Sequence, residues 1–137
     1  MHGGIEDPAL FEGVSDCIRQ TLQKDLPGMK ESDRLVADLG ADSLDFLDLI
    51  FRLEKAFEVR VNPRDLERRT REVLGDSPMI VDERYTAKAV EEFRKAMPEA
   101  PEAELYPDMP VSKLAESFRV RTFMNLVAYA KANGGGV

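Results

Sequence analysis

Apolar residues recur at helical spacing along much of the chain. Phe11, Val14, Ile18 and Leu22, widened by Leu10 and Cys17, form one stripe, while Glu12, Asp16, Arg19 and Gln23 fall on the other side. Asp7-Pro8 reads as the start of this first helix, with Asp as the cap and Pro at the first helical position, where a missing N–H costs nothing. Leu26-Pro27-Gly28 closes it. Residues 25–42 then form a long connection broken by Pro27, Gly28 and Gly40, yet Leu35, Val36 and Leu39 are apolar enough to pin it to a core. The pattern predicts an ordered crossing loop.

From Leu44 to Phe57 the stripe is wider. Leu44, Leu47, Ile50, Phe51, Leu53 and Phe57, broadened by Phe46 and Leu49, cover more than half of the helix circumference. Such a helix is expected to be buried from several sides, as the central element of a small bundle. Val59 to Val61 reads as extended or loop-like, and Asn62-Pro63 restarts a helix through Leu66, Val73 and Leu74 that Gly75 to Pro78 ends. Met79-Ile80-Val81 is expected along the core. Thr86 caps a helix with Val90, Phe93 and Met97 on one face, stopped by Pro98. The four prolines from Pro98 to Pro110 predict irregular chain, and Val111 to Phe118 gives about two turns of helix. Thr122 is read as the cap of a last helix bearing Phe123, Leu126, Val127 and Ala130. No internal repeat and no strand pair is evident, so the pattern predicts an all-α fold.

A length of 137 residues suits one domain with one sizeable core. We read residues 1–137 as that domain, with a flexible leader at 1–6 and a flexible tail at 134–137. The formal net charge of −7 argues against nucleic acid or an anionic membrane as a main partner and favours basic protein surfaces. The acidity is uneven: residues 1–62 hold 13 Asp and Glu against 7 Lys and Arg, whereas residues 63–137 hold 13 against 12. The single cysteine, Cys17, cannot form an intramolecular disulfide, and no apolar run suits a signal or a membrane span, so a cytoplasmic monomer is expected. Cys17 sits among apolar residues and reads as a small core side chain. His2, the only histidine, stands alone in Met-His-Gly-Gly.

The stretch Leu39-Gly40-Ala41-Asp42-Ser43-Leu44-Asp45 carries the candidate chemistry. A serine at a helix start ordinarily caps it. Here Asp42 is the better cap, which puts Ser43 at the first helical position with its hydroxyl outward. Nucleophilic catalysis from Ser43 lacks a base and a Gly-x-Ser-x-Gly elbow. The loop also lacks the Gly-x-x-x-x-Gly-Lys pattern that cradles nucleotide phosphates. Asp38, Asp42, Asp45 and Asp48 lack the glycine and terminal glutamate of a calcium loop, and no metal site is expected. Near a helix N-terminus these acids have a plain structural role, because the helix dipole favours negative charge there. A serine used as an attachment point remains.

Residues Asp38 to Asp45 resemble the signature of the acyl carrier protein family, in which an Asp-Ser-Leu serine receives 4′-phosphopantetheine. Leu47-Asp48-Leu49 and Leu53-Glu54-Lys55-Ala56-Phe57 resemble the rest of that family's second helix, and Thr122 to Tyr129 its last helix; the resemblance covers residues 8–62 and 118–131. It implies a four-helix bundle that catalyses nothing itself. A phosphopantetheinyl transferase would modify Ser43 with coenzyme A as donor, and the arm would hold an acyl chain as a thioester for fatty acid or specialised lipid biosynthesis. Asp38, Asp42, Asp45, Asp48 and Glu54 resemble the family's docking face for acyl-loading, ketosynthase and acyltransferase-type enzymes with basic surfaces. A polyketide or peptidyl carrier, or an interaction module that keeps the fold without the arm, are the alternatives.

Two departures stand out. Arg52 and Lys55 place positive charge on a helix that is usually more uniformly acidic in the family. Residues 63–117 also make the region ahead of the last helix unusually long, with an Arg-rich helix at Arg64, Arg68, Arg69 and Arg71 and a further helix around Phe93. This resembles a specialised subgroup with extra helices between the second and last main helices. The insertion reads either as an enlarged core with a solvated charged face or as a cover for the acyl chain or a partner surface.

Overall fold

The computed structural model describes residues 8–62 and 64–132. The expected leader, tail, Asp7 cap and Pro63 lie outside the described residues. The elements are α1 (Pro8–Leu22), α2 (Ser43–Phe57), α3 (Asp65–Leu74), a hairpin of β1 (Ile80–Val81) and β2 (Arg84–Tyr85), α4 (Ala87–Ala96) and α5 (Val120–Ala132). The described fold is therefore helical, with extra helices between α2 and the last main helix. The chain divides into two compact units, residues 1–62 with 119–137, and residues 63–118.

In the first unit α1 packs on α2 and on α5. Leu10, Val14, Cys17 and Ile18 of α1 are buried, as are Leu49, Ile50 and Leu53 of α2 and Val120, Phe123, Met124 and Val127 of α5. The Phe46 ring meets the Phe123 ring edge-on, 5.6 Å between centroids. At the other end of α2 the Phe57 ring lies so close to Gly13 that a Cβ there would come within 2.6 Å of it. The Lys131 ammonium sits over the same ring, 5.8 Å from its centre. A glycine in mid-helix is unfavourable by about 1 kcal/mol relative to alanine, and this contact is what requires it.

The connection between α1 and α2 is ordered, as its pattern predicts. Met29, Leu35 and Leu39 are buried beneath it. Its backbone is strapped to the start of α5: the Val120 amide donates to the Asp33 carbonyl and the Arg121 amide to the Glu31 carbonyl, both at 2.9 Å. That last helix begins two residues ahead of Thr122, whose hydroxyl accepts the Arg119 amide at 3.1 Å. Thr122 thus closes the N-terminus from inside the first turn.

The wide apolar stripe of α2 is not buried from all sides. Leu44, Leu47 and Phe51 are 74%, 54% and 68% exposed. Leu49, Ile50 and Leu53 are the buried residues of α2, because α1 packs along one side of it, with Phe123 of α5 meeting Phe46, and the other side is left open.

In the second unit α3 packs on α4 around buried Leu66, Val90 and Phe93. Thr86 caps α4, its hydroxyl accepting the Ala89 amide at 3.3 Å. Tyr85 is buried with its ring perpendicular to Phe93, 4.7 Å between centroids, and its hydroxyl donates to the Glu67 carboxylate. The hairpin was not expected. Its turn residues Asp82 and Glu83 both have positive φ, 54° and 63°, without the Asn or Gly that normally signals such a turn. The turn is supported from outside, since the Val111 amide donates to the Glu83 carbonyl and the Tyr85 amide to Met109. Met79 is buried as expected along the core, whereas Ile80 and Val81 are exposed.

The start of α2 is fixed by a reciprocal cap. The Asp45 amide donates to the Asp42 carboxylate at 2.8 Å, and the Asp42 amide donates to the Asp45 carboxylate at 3.0 Å. Two of the otherwise unsatisfied groups at this helix end are thereby paired.

Two outcomes are expected. Asp42→Ala should lose about 1 kcal/mol in urea unfolding, and Asp42→Asn much less, because asparagine also caps. Burial, followed by the Glu67 hydrogen bond and its negative charge, pushes the Tyr85 phenol well above its ordinary value. Its stabilising contribution is therefore complete below the unfolded phenol value near pH ~10 and lost as pH rises through the folded one. Melting temperatures measured from neutral pH upward should fall more steeply above that point in the wild type than in Tyr85→Phe.

Candidate functional site

Ser43 is the first residue of α2 and is exposed. The capping carboxylate comes from Asp42, so the serine hydroxyl is not consumed in holding the helix. The first turn leaves backbone donors over. The Asp45 amide is taken by Asp42 and the Phe46 amide by the Asp42 carbonyl, while the amides of Ser43 and Leu44 donate to no described residue. Such unpaired donors, reinforced by the helix dipole, favour an anion at this point. Ahead of the cap, Ala41 is buried and Gly40 has φ +81°, a left-handed turn that a side chain would strain. The Lys24 ammonium lies 3.5 Å from where a Cβ on Gly40 would stand. Nothing in the sequence signals this lysine, because it comes from the far end of the preceding loop.

The five acids predicted for a docking face have local partners. Asp38 accepts the Arg34 backbone amide at 2.8 Å and its guanidinium Nε at 3.3 Å, and these bonds hold its carboxyl below the usual carboxylate range. Asp42 and Asp45 form the cap. Asp48 pairs with Arg52 at 2.7 Å, which lowers its carboxyl likewise. Glu54 accepts the Val61 amide at 3.0 Å and so fastens the chain that leaves α2. Asp45 and Asp48 share α2 with Ser43 and Asp42 caps it; Asp38 lies in the preceding loop, and Glu54 three turns along the helix.

Next to these acids runs the exposed apolar row of Leu44, Leu47 and Phe51. It leads into an open groove of about 720 Å³ at the C-terminal half of α2, lined by Phe51, Arg52, Lys55, Val59 and Arg60 among others. Arg52 is held by Asp48 and reaches Gln20 at 3.4 Å.

Cys17 is buried, and burial, with the charge of Asp16, pushes its thiol up, away from the reactive thiolate. Among the described residues no helix is long and apolar enough to cross a membrane.

Comparison with known proteins agrees with this geometry. A family model described as a phosphopantetheine attachment site matches residues 12–75. The acyl carrier protein AcpXL of Rhizobium meliloti is 34% identical over 92 residues, 64% of this chain and 93% of that protein. AcpXL of Rhizobium etli is 38% identical over 80 residues, 58% of this chain and 83% of that one. The acyl carrier protein of Campylobacter concisus is 38% identical over 60 residues, 44% of this chain and 78% of that one. No solved structure matches the chain. The chain thus belongs to the acyl carrier protein family, with specific matches to the extended AcpXL type, and is a carrier, not an enzyme, that works through a thioester on covalent phosphopantetheine.

Proposed function

We propose that Ser43 is the residue that carries the phosphopantetheine arm. The observation that supports it most is exposure. The matched segment contains five hydroxyl side chains, and Ser15, Thr21 and Thr70 are buried. Ser32 is exposed but lies in a turn with no helix start beside it, whereas Ser43 combines exposure with the free donors of a helix N-terminus. The residues fit the group. A phosphodiester on Ser43 is an anion, the unpaired amides of Ser43 and Leu44 suit it, and Lys24 adds a cation beside the same loop. The arm supplies a terminal thiol on which the acyl group is held as a thioester. The protein's part is to present Ser43, to keep its hydroxyl out of the capping network, and to offer α2 to enzymes.

The finer reading follows. Asp42, Asp45 and Asp48, beside the apolar row, form the surface read by a phosphopantetheinyl transferase and by acyl-loading, ketosynthase and acyltransferase-type enzymes, with Asp38 and Glu54 at its margins. Charges at an interface rim speed encounter and select partners without tight binding, which suits a carrier that must let go. Membership of the acyl carrier protein family favours fatty acid or specialised lipid biosynthesis as the setting, with residues 63–117 as an enlargement tuned to it. A cytoplasmic monomer fits these roles.

Incubating the apo protein with coenzyme A and a phosphopantetheinyl transferase should add one phosphopantetheine mass to the wild type and none to Ser43→Ala. Intact-protein mass spectrometry reads both. A wild type left unmodified by several transferases, or a Ser43→Ala protein that still gains the mass, overturns the assignment.

A further inference from the structure

Val120 and Arg121 open α5, so their amides have no acceptor within that helix. The loop that leads to Ser43 provides one for each, the Asp33 and Glu31 carbonyls. The carbonyl between these two, that of Ser32, takes the Arg119 side chain, with Nε at 3.4 Å. Three successive carbonyls of the loop are thus held by three successive residues at the start of α5, and Arg34 faces Arg119 in a single antiparallel bridge. Of the three bonds, only the one from Arg119 is made by a side chain.

Arg119 is 6% exposed, and it is the one buried charged side chain among the described residues. A guanidinium in the interior is costly unless hydrogen bonds and an opposite charge compensate it. The opposite charge is that of Asp38: the Arg34 amide and guanidinium hold its carboxyl below the usual carboxylate range, and the Arg119 charge adds to them. From Asp38 the bonding continues to the helix. The Asp38 and Leu39 amides donate to the Arg34 carbonyl, Gly40 to Val36, Ala41 to Leu35, and Asp42 to the Asp45 carboxylate. Every amide from Asp38 to Asp42 is therefore engaged, and Ser43 is the next residue.

We propose that Arg119 is a positioning residue for the loading of Ser43: by holding the Ser32 carbonyl and placing positive charge near Asp38, it fixes the loop that sets where the Ser43 hydroxyl stands. The claim rests on Ser43 being the attachment point. In loading, the Ser43 oxygen bonds to the pantetheine-side phosphorus of coenzyme A, the pyrophosphate bond breaks, adenosine 3′,5′-bisphosphate leaves, and the hydroxyl proton passes to a base of the transferase. A nucleophile misplaced by about 1 Å can lose as much as ~10²-fold in rate. The outer face of α2 does not depend on Arg119, so the loss falls on kcat and not on KM.

The test pairs amide hydrogen exchange of the apo protein, read by NMR, with steady-state transfer of the arm from coenzyme A by a transferase that loads the wild type. In Arg119→Met, which keeps the length but not the charge or the donor, the amides of Leu39, Gly40 and Ala41 should exchange about tenfold faster, while those of Ile18 and Val127 keep their rates. Its kcat for loading should fall about tenfold with KM within about twofold. Arg119→Lys, which retains the charge and a donor, should fall between the two, and it carries both readings if circular dichroism shows the Met variant unfolded. Loop amides that exchange as in the wild type, exchange that quickens equally at Ile18 and Val127, or a kcat that does not change each overturn the proposal. A wild type that no transferase loads removes the attachment site instead, and it is a separate outcome because exchange in the loop does not involve the arm.

Discussion

The reciprocal bond between Asp42 and Asp45 is the constraint on which the functional end of this molecule depends. A helix start must satisfy its first amides from somewhere, and the residue nearest to hand is a serine, Ser43. By assigning the cap to Asp42 and returning Asp45 to the Asp42 amide, the chain closes the helix end with two carboxylates and leaves the hydroxyl exposed. The same arrangement leaves two amides over for an anion. Local stability and chemical availability are obtained from adjacent residues.

The body of α2 follows a similar division. Its inner face is committed, with Leu49, Ile50 and Leu53 in the core, the Phe46 ring against Phe123, and Phe57 clamped between Gly13 and Lys131. The outer face keeps Leu44, Leu47 and Phe51 in water. Exposed apolar rows of this kind mark surfaces that partners cover. A helix anchored this firmly on one side presents the other as a rigid template, so little ordering accompanies each encounter.

The sequence exposed some of this and hid the rest, for identifiable reasons. The Asp42 cap and the position of Ser43 were legible because capping involves residues three apart and little beyond them. The ordered connection was legible from Leu35 and Leu39. Periodicity showed which positions of α2 share a face but not which face finds a neighbour, so the exposure of Leu47 and Phe51 did not follow from it. The hairpin at Ile80 to Tyr85 was hidden because Asp82 and Glu83 adopt a turn that local preference disfavours and that the distant Val111 and Met109 segment supports. The tasks of Asp38 and Glu54, and the place of Lys24, depend on the path of loops, which composition does not encode.

The outward apolar row has a colloidal consequence. Three large side chains in water on one helix would ordinarily promote clustering of a small protein at the concentrations a shared carrier needs. A charge of −7 on 137 residues opposes this by keeping copies apart over roughly a Debye length, about 8 Å at physiological ionic strength. The acidity of the chain thus acts as a dispersant. It holds carriers separate from one another although each keeps an apolar row in water.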